Sequence, residues 1–152
     1  MLALAISSLA GCSSSTSTAP FTGMAWTVDG SNVTATSTRR EITGNTVEIV
    51  GAFTTSRTRS TGVDIKGLPL AVGTYRIIAP TGAANELFAA YVDVDLNSTS
   101  SNGYFSTSGT VTVSSVSSSN ISGTFSYVAE DRSSGSTAPP KAITNGRFNM
   151  AL

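Results

Sequence analysis

Asp93-Val94-Asp95-Leu96-Asn97 sets two carboxylates two residues apart. On an extended strand that spacing places both on one face, so Asp93 and Asp95 form a candidate cation site. The same run opens like a calcium loop, but Ser98 stands where such a loop needs glycine and Tyr104 where it needs a bidentate glutamate, which excludes an EF-hand. Glu130-Asp131 is a second acidic pair, read as part of a loop because it adjoins Arg132 and a Ser/Gly-rich stretch. Two arginine pairs, Arg39-Arg40 and Arg57 with Arg59, carry the guanidinium geometry that grips anionic glycans or lipid headgroups bidentately. On an edge strand the same residues would serve only to block sheet-to-sheet association. Trp26, Tyr75, Tyr91 and Tyr104 are candidates to line a sugar or apolar site, with core packing the plainer expectation for each. The chain has no histidine, which removes the commonest general base, the Ser-His-Asp triad and the commonest zinc ligand. An enzyme would have to work through the Asp pair or Glu48 alone. The expectation is therefore a protein without catalysis, cofactor or resident metal.

The only cysteine, Cys12, closes the tetrad Leu9-Ala10-Gly11-Cys12 behind the apolar run Leu2 to Ala10. That run is too short to cross a bilayer as a helix, which takes about 20 residues. It matches the apolar region of a secretory signal, about 7–15 residues long and ending at small residues. The tetrad resembles the lipobox cut by the lipoprotein signal peptidase. Ala10 and Gly11 let the backbone lie flat in a protease groove, and the Cys12 thiol would take a diacylglycerol through a thioether. Each buried methylene contributes about 0.8 kcal/mol, so two or three acyl chains give stable anchoring where one does not. No Lys or Arg precedes the apolar run, which predicts that the true signal peptide starts further upstream. The division expected is a partial signal peptide over 1–11, a lipidated cysteine with a Ser/Thr-rich tether over 12–20, and a folded domain over 21–152.

Composition narrows the partners. Net charge is zero and 12% of residues are charged, with no basic face to neutralise phosphates, so nucleic acid is excluded. One cysteine allows no disulfide within the chain, and stability must come from packing. Ser13 to Thr18 cannot bury enough apolar surface to order itself and reads as a flexible tether. Three Asn-X-Ser/Thr sequons, at Asn32, Asn97 and Asn120, are read as products of Ser/Thr richness.

From Met24 onward the pattern is that of strands. Met24 to Val28 and Asn32 to Ser37 flank Asp29-Gly30, a hairpin-turn dipeptide. Val47, Ile49, Gly51 and Phe53 alternate along Thr46 to Thr54, and Val63 and Ile65 do so along Gly62 to Lys66. Thr74 to Ile78, Leu87 to Leu96, Gly109 to Val116, Ile121 to Ala129 and Ile143 to Leu152 follow, each bounded by turn residues. Gly123 among inward-pointing residues predicts a bulge or close backbone approach, and Asn145-Gly146 a turn or a bulge bending an edge. No sustained 3.6-residue period appears. The fold expected is all-β: a single antiparallel sandwich or flattened barrel of roughly eight to ten short strands.

Trp26-Thr27-Val28-Asp29-Gly30, Gly73-Thr74-Tyr75-Arg76, Ser108 to Val113, Ile121 to Tyr127 and Ile143 to Phe148 occur in that order over most of the chain beyond Cys12. In this arrangement the chain resembles a group of small lipoproteins of the Bacteroidota catalogued as a domain of unknown function. Members usually carry a tryptophan a few residues after the Asp-Gly turn; here Asn32-Val33 stands there and Trp26 precedes the turn. The resemblance implies a lipid-anchored β domain and transfers no catalytic residue. Together these readings predict a non-catalytic envelope lipoprotein held by acylated Cys12, with an envelope protein or a glycan as possible partner. Ser13 and the absence of an acidic run in the tether point to the outer membrane, facing the periplasm. The alternative is a carrier or receptor holding a small apolar or glycan ligand in or on the β domain.

Overall fold

The computed structural model describes residues 21–152 except 56–58, 98–100 and 134. Cys12, the expected signal segment, the tether and Arg57 lie outside the described residues. Among the described residues the fold is all-β, with 72% of them in strands and no helix. Ten strands follow in chain order: β1 (Gly23–Val28), β2 (Ser31–Thr34), β3 (Ser37–Thr43), β4 (Thr46–Thr55), β5 (Arg59–Pro69), β6 (Gly73–Ile78), β7 (Phe88–Asp95), β8 (Ser101–Val116), β9 (Asn120–Asp131) and β10 (Lys141–Ala151). All pair antiparallel in one sheet of order β2-β1-β10-β9-β8-β7-β5-β4-β3, with β6 also paired to β8.

The sheet is a strongly curled half-barrel, consistent with the expected antiparallel sandwich or flattened barrel. Its two path ends, β2 and β3, are consecutive in the chain. Ala35-Thr36 joins them, the Ala35 N–H donating to the Met24 carbonyl in β1 (2.9 Å) and the Thr36 N–H to the Ala52 carbonyl in β4 (2.8 Å). One short link thus laces the ends of the curl together.

Period-two alternation fills the interior. Val47, Ile49, Val63, Ile65, Val111, Val113, Ile121, Phe125, Ile143 and Phe148 are all buried, with Trp26 and Met24 from β1 between them. Three aromatic rings share one arrangement with glycines opposite. Phe148 faces Gly123, Phe125 faces Gly146 and Tyr127 faces Gly109 across adjacent strands. A Cβ at Gly123 would lie 2.6 Å from Phe148 Cζ and within contact of the Thr112 carbonyl; at Gly146 and Gly109 it would strike Phe125 and Tyr127. The expectation at Gly123 is met as a close approach.

Several expectations need correction. Asn145 has φ of 51° and the β9–β10 register slips between Ile143 and Gly146, so the Asn-Gly pair is a bulge. It bends an interior strand, since β10 lies between β1 and β9, and the edge expected there is absent. Ser37–Thr43, given no strand by its pattern, forms β3 and carries Arg39-Arg40 at the end of the sheet. Glu130-Asp131 ends β9 rather than lying in a loop. Asp29 and Gly30, with φ of 49° and 76°, make the expected tight turn between β1 and β2.

Candidate functional site

One mouth of the half-barrel gathers chemistry from three directions. The β1–β2 turn brings Asp29 and Ser31, β4 brings Phe53, and the start of β5 brings Arg59 and Thr61 beside Tyr91 of β7. Together they line a cleft of about 230 Å³. Strand register puts Arg59 opposite Asp95 and Thr61 opposite Asp93, so Arg59 reaches diagonally to Asp93. The guanidinium takes both carboxylate oxygens, Nε to Oδ1 at 2.7 Å and Nη2 to Oδ2. This hydrogen bond, and then the Asp93 charge, hold Arg59 above its ordinary pKa, with burial acting the other way.

A second ion pair stands on the far side of the rim. Lys141 Nζ lies 2.5 Å from Asp29 Oδ2 and 5.8 Å from the centre of the Tyr104 ring. Tyr104 packs against Tyr91 with ring centres 6.0 Å apart and planes tilted by 47°. Burial pushes the Tyr91 hydroxyl up to about 12, the Asp93 charge adding to it and Arg59 opposing it. Tyr91 therefore stays a neutral hydrogen-bonding group across the physiological range.

Asp93 and Asp95 lie on one side of β7 as expected, but they do not form an open cation site. Arg59 occupies both oxygens of Asp93, and Asp95 Oδ1 accepts the Asn97 N–H at 2.9 Å, closing a local turn. No group of three or more His, Cys, Asp or Glu among the described residues is arranged to hold a metal. Glu48, the other acid considered, is spoken for by cations: it accepts from Arg39 at 3.0 Å and lies 3.8 Å from Lys66. Of the four aromatic candidates, Trp26, Tyr91 and Tyr104 are buried in or beside the core. Tyr75 packs against it and donates to the Ala71 carbonyl at 2.9 Å.

A second cleft, about 390 Å³, lies between the β3–β4 end and the loop after β6, lined by Glu41, Glu48, Lys66, Asn85, Glu86 and Phe88 among others. Glu86 is structural there. Its carboxylate accepts the Thr81 N–H (2.8 Å), the Gly82 N–H (3.2 Å) and the Thr81 hydroxyl, and these bonds hold its pKa below the ordinary range.

No family model, curated protein or solved structure matches this chain. The site is read from its own residues. The mouth offers an acceptor (Asp29), a donor (Arg59), hydroxyls (Ser31, Tyr91) and apolar walls (Val33, Phe53), which suits hydrogen bonding to a small polar ligand.

Among the acids that sequence reasoning passed over is Asp64. Its place between Val63 and Ile65 marks it as outward-facing, but burial pushes its carboxyl up to about 6, Glu48 adding to the rise and Lys66 and Arg39 opposing it. The unfolded chain, with its ordinary value of 3.8, holds that proton less tightly, so the fold loses stability as pH rises from about 4 to about 6. Asp64→Asn is expected to raise stability at pH 8 by about 2 kcal/mol after solvent screening, and to leave it unchanged at pH 3.5. Urea denaturation at the two pH values checks this; an equal effect at both would show that the charge is not the cause.

Proposed function

We propose that this protein is a lipid-anchored envelope protein whose β domain binds without catalysing. The observation that carries the reading is Leu9-Ala10-Gly11-Cys12, followed by a Ser/Thr run that leads straight into the domain. What supports the non-catalytic part is the engagement of the mouth's charged groups in Arg59–Asp93 and Lys141–Asp29 pairs. The anchor places the domain at a membrane surface, and Ser13 with a tether free of acids favours the outer membrane facing the periplasm. An envelope protein or glycan is the partner class. The resemblance to small Bacteroidota lipoproteins agrees with all of this and adds no chemistry.

Labelled palmitate is expected to enter the full chain produced in a bacterial host and to be absent from Cys12→Ala, which should also leave the membrane fraction. Equal label in both would overturn the anchor.

Among the described residues, the mouth cleft is what favours the carrier reading. Among the described residues the interior is filled by Trp26, Phe125, Tyr127 and Phe148 with the aliphatic residues around them. Tyrosine fluorescence of the full chain titrated with monosaccharides and disaccharides tests it. A saturable change lost in Arg59→Ala supports this reading, and a flat trace removes it.

A further inference from the structure

On the outer face of β4, β5 and β7 lies a furrow of about 260 Å³ whose lining includes Val50, Ala52, Val92 and Val94, with Arg39 and Ser60 beside them. Gly62 lines it, and Gly62 and Gly103 stand in register on either side of Val92, which is left 37% exposed. Phe105, in register with Ala90, extends the apolar surface at 36% exposure. Asp64 sits in this furrow, between Val50 and Ala90 in cross-strand register. Its Oδ1 is buried and takes no hydrogen bond among the described residues. The cations facing it, Arg39 from β3 and Lys66 from β5, are drawn instead to Glu48 of β4.

A buried acceptor without a donor is costly, and more so when it carries charge. A furrow with valine walls and one unsatisfied carboxylate complements a cation carried on an aliphatic stem. We propose that this furrow docks a lysine side chain of a partner polypeptide, its methylenes against Val50, Val92 and Val94 and its ammonium on Asp64. A lysine ammonium is compact and brings three donors, which suits a single carboxylate better than a planar guanidinium fork. A phospholipid amine is the other carrier of an ammonium, and the vesicle arm of the test separates it from the peptide. The furrow is separate from the mouth cleft and does not rest on the reading of that cleft.

The test titrates the full chain with acetyl-Gly-Lys-Gly-amide and follows valine methyl resonances. Methyls of Val50, Val92 and Val94 are expected to shift saturably at pH 8, with the norleucine analogue producing no shift. Affinity should fall at least tenfold in Asp64→Asn, which keeps the shape of the side chain and should fold at least as well as the parent. It should also weaken as pH falls from 8 to 5, with Asp64 gaining a proton. Absence of methyl shifts, equal shifts with norleucine, or undiminished binding in Asp64→Asn would each overturn the proposal. So would tighter binding to phosphatidylethanolamine vesicles than to the peptide, which would make the furrow a lipid site.

Discussion

Gly123→Ala is expected to cost about 3 kcal/mol of folding stability, at the upper end of what overpacking a core does. A methyl at that position meets the Thr112 carbonyl on one side and Phe148 Cζ at 2.6 Å on the other. The carbonyl belongs to β8, which pairs with β9 over most of its length, so the backbone cannot retreat. The ring cannot retreat either, because Phe148 stacks on Phe125 with centres 6.5 Å apart, and Phe125 in turn lies over Gly146. The strain therefore spreads through the whole row of rings. For a domain of this size the loss corresponds to a fall in Tm of roughly 10 °C. Gly103→Ala is the internal control, since its added methyl would meet only Phe105 Cε2, at 4.0 Å. A melting temperature for Gly123→Ala within 2 °C of that control would show that the close approach does not hold the fold.

The Gly123 position was legible because a glycine interrupts an otherwise inward-facing series, Ile121, Phe125 and Tyr127. The same kind of signal exposed most of the fold. Val47, Ile49, Gly51 and Phe53 announce β4 by alternation, and Asp29-Gly30 announces its turn because two positive φ angles are needed there. What alternation cannot reveal is a strand with neither face buried. Ser37–Thr43 is exposed throughout, so β3 is stabilised by pairing to β4 alone and leaves no hydrophobic period to read. The lacing of the curl through Ala35-Thr36 depends on backbone hydrogen bonds, which side-chain types do not encode.

The candidate site was legible in its parts and not in its assembly. Asp93 and Arg59 each stood out as charged residues on strands, but they lie 34 residues apart in sequence and meet only because β5 and β7 are neighbours. That pairing turns an apparent cation site into a rim ion pair. Asp64 was hidden for the opposite reason. Its position in the alternation is that of an ordinary solvated acid, and only the small and apolar residues across from it, Val50 and Ala90, take the water away.

Ser106→Ala is expected to lose about 3 kcal/mol, although it removes a single oxygen. Ser106 is the one polar residue among those fully withdrawn from solvent in the described chain. Tyr104 and Phe105 pair with β7, and from Ser108 onward the same side of β8 pairs with β6, so Ser106 stands where the ladder changes partner. The register of β8 against β9 slips at this point, between Ser106 and Ser108. Two backbone groups would be orphaned at the changeover. The Ser106 hydroxyl serves both, accepting the Ala89 N–H at 3.1 Å and donating to the Ile78 carbonyl at 2.6 Å. Alanine leaves a buried donor and a buried acceptor together, and each unsatisfied group costs about 1–3 kcal/mol. The loss should be local before it is global. Hydrogen exchange at the Ala89 amide is expected to accelerate by a larger factor than at amides in the middle of β9, where the ladder is continuous. Stability unchanged from the parent, with the Ala89 amide still protected, would mean that the hydroxyl does not join β6 and β7.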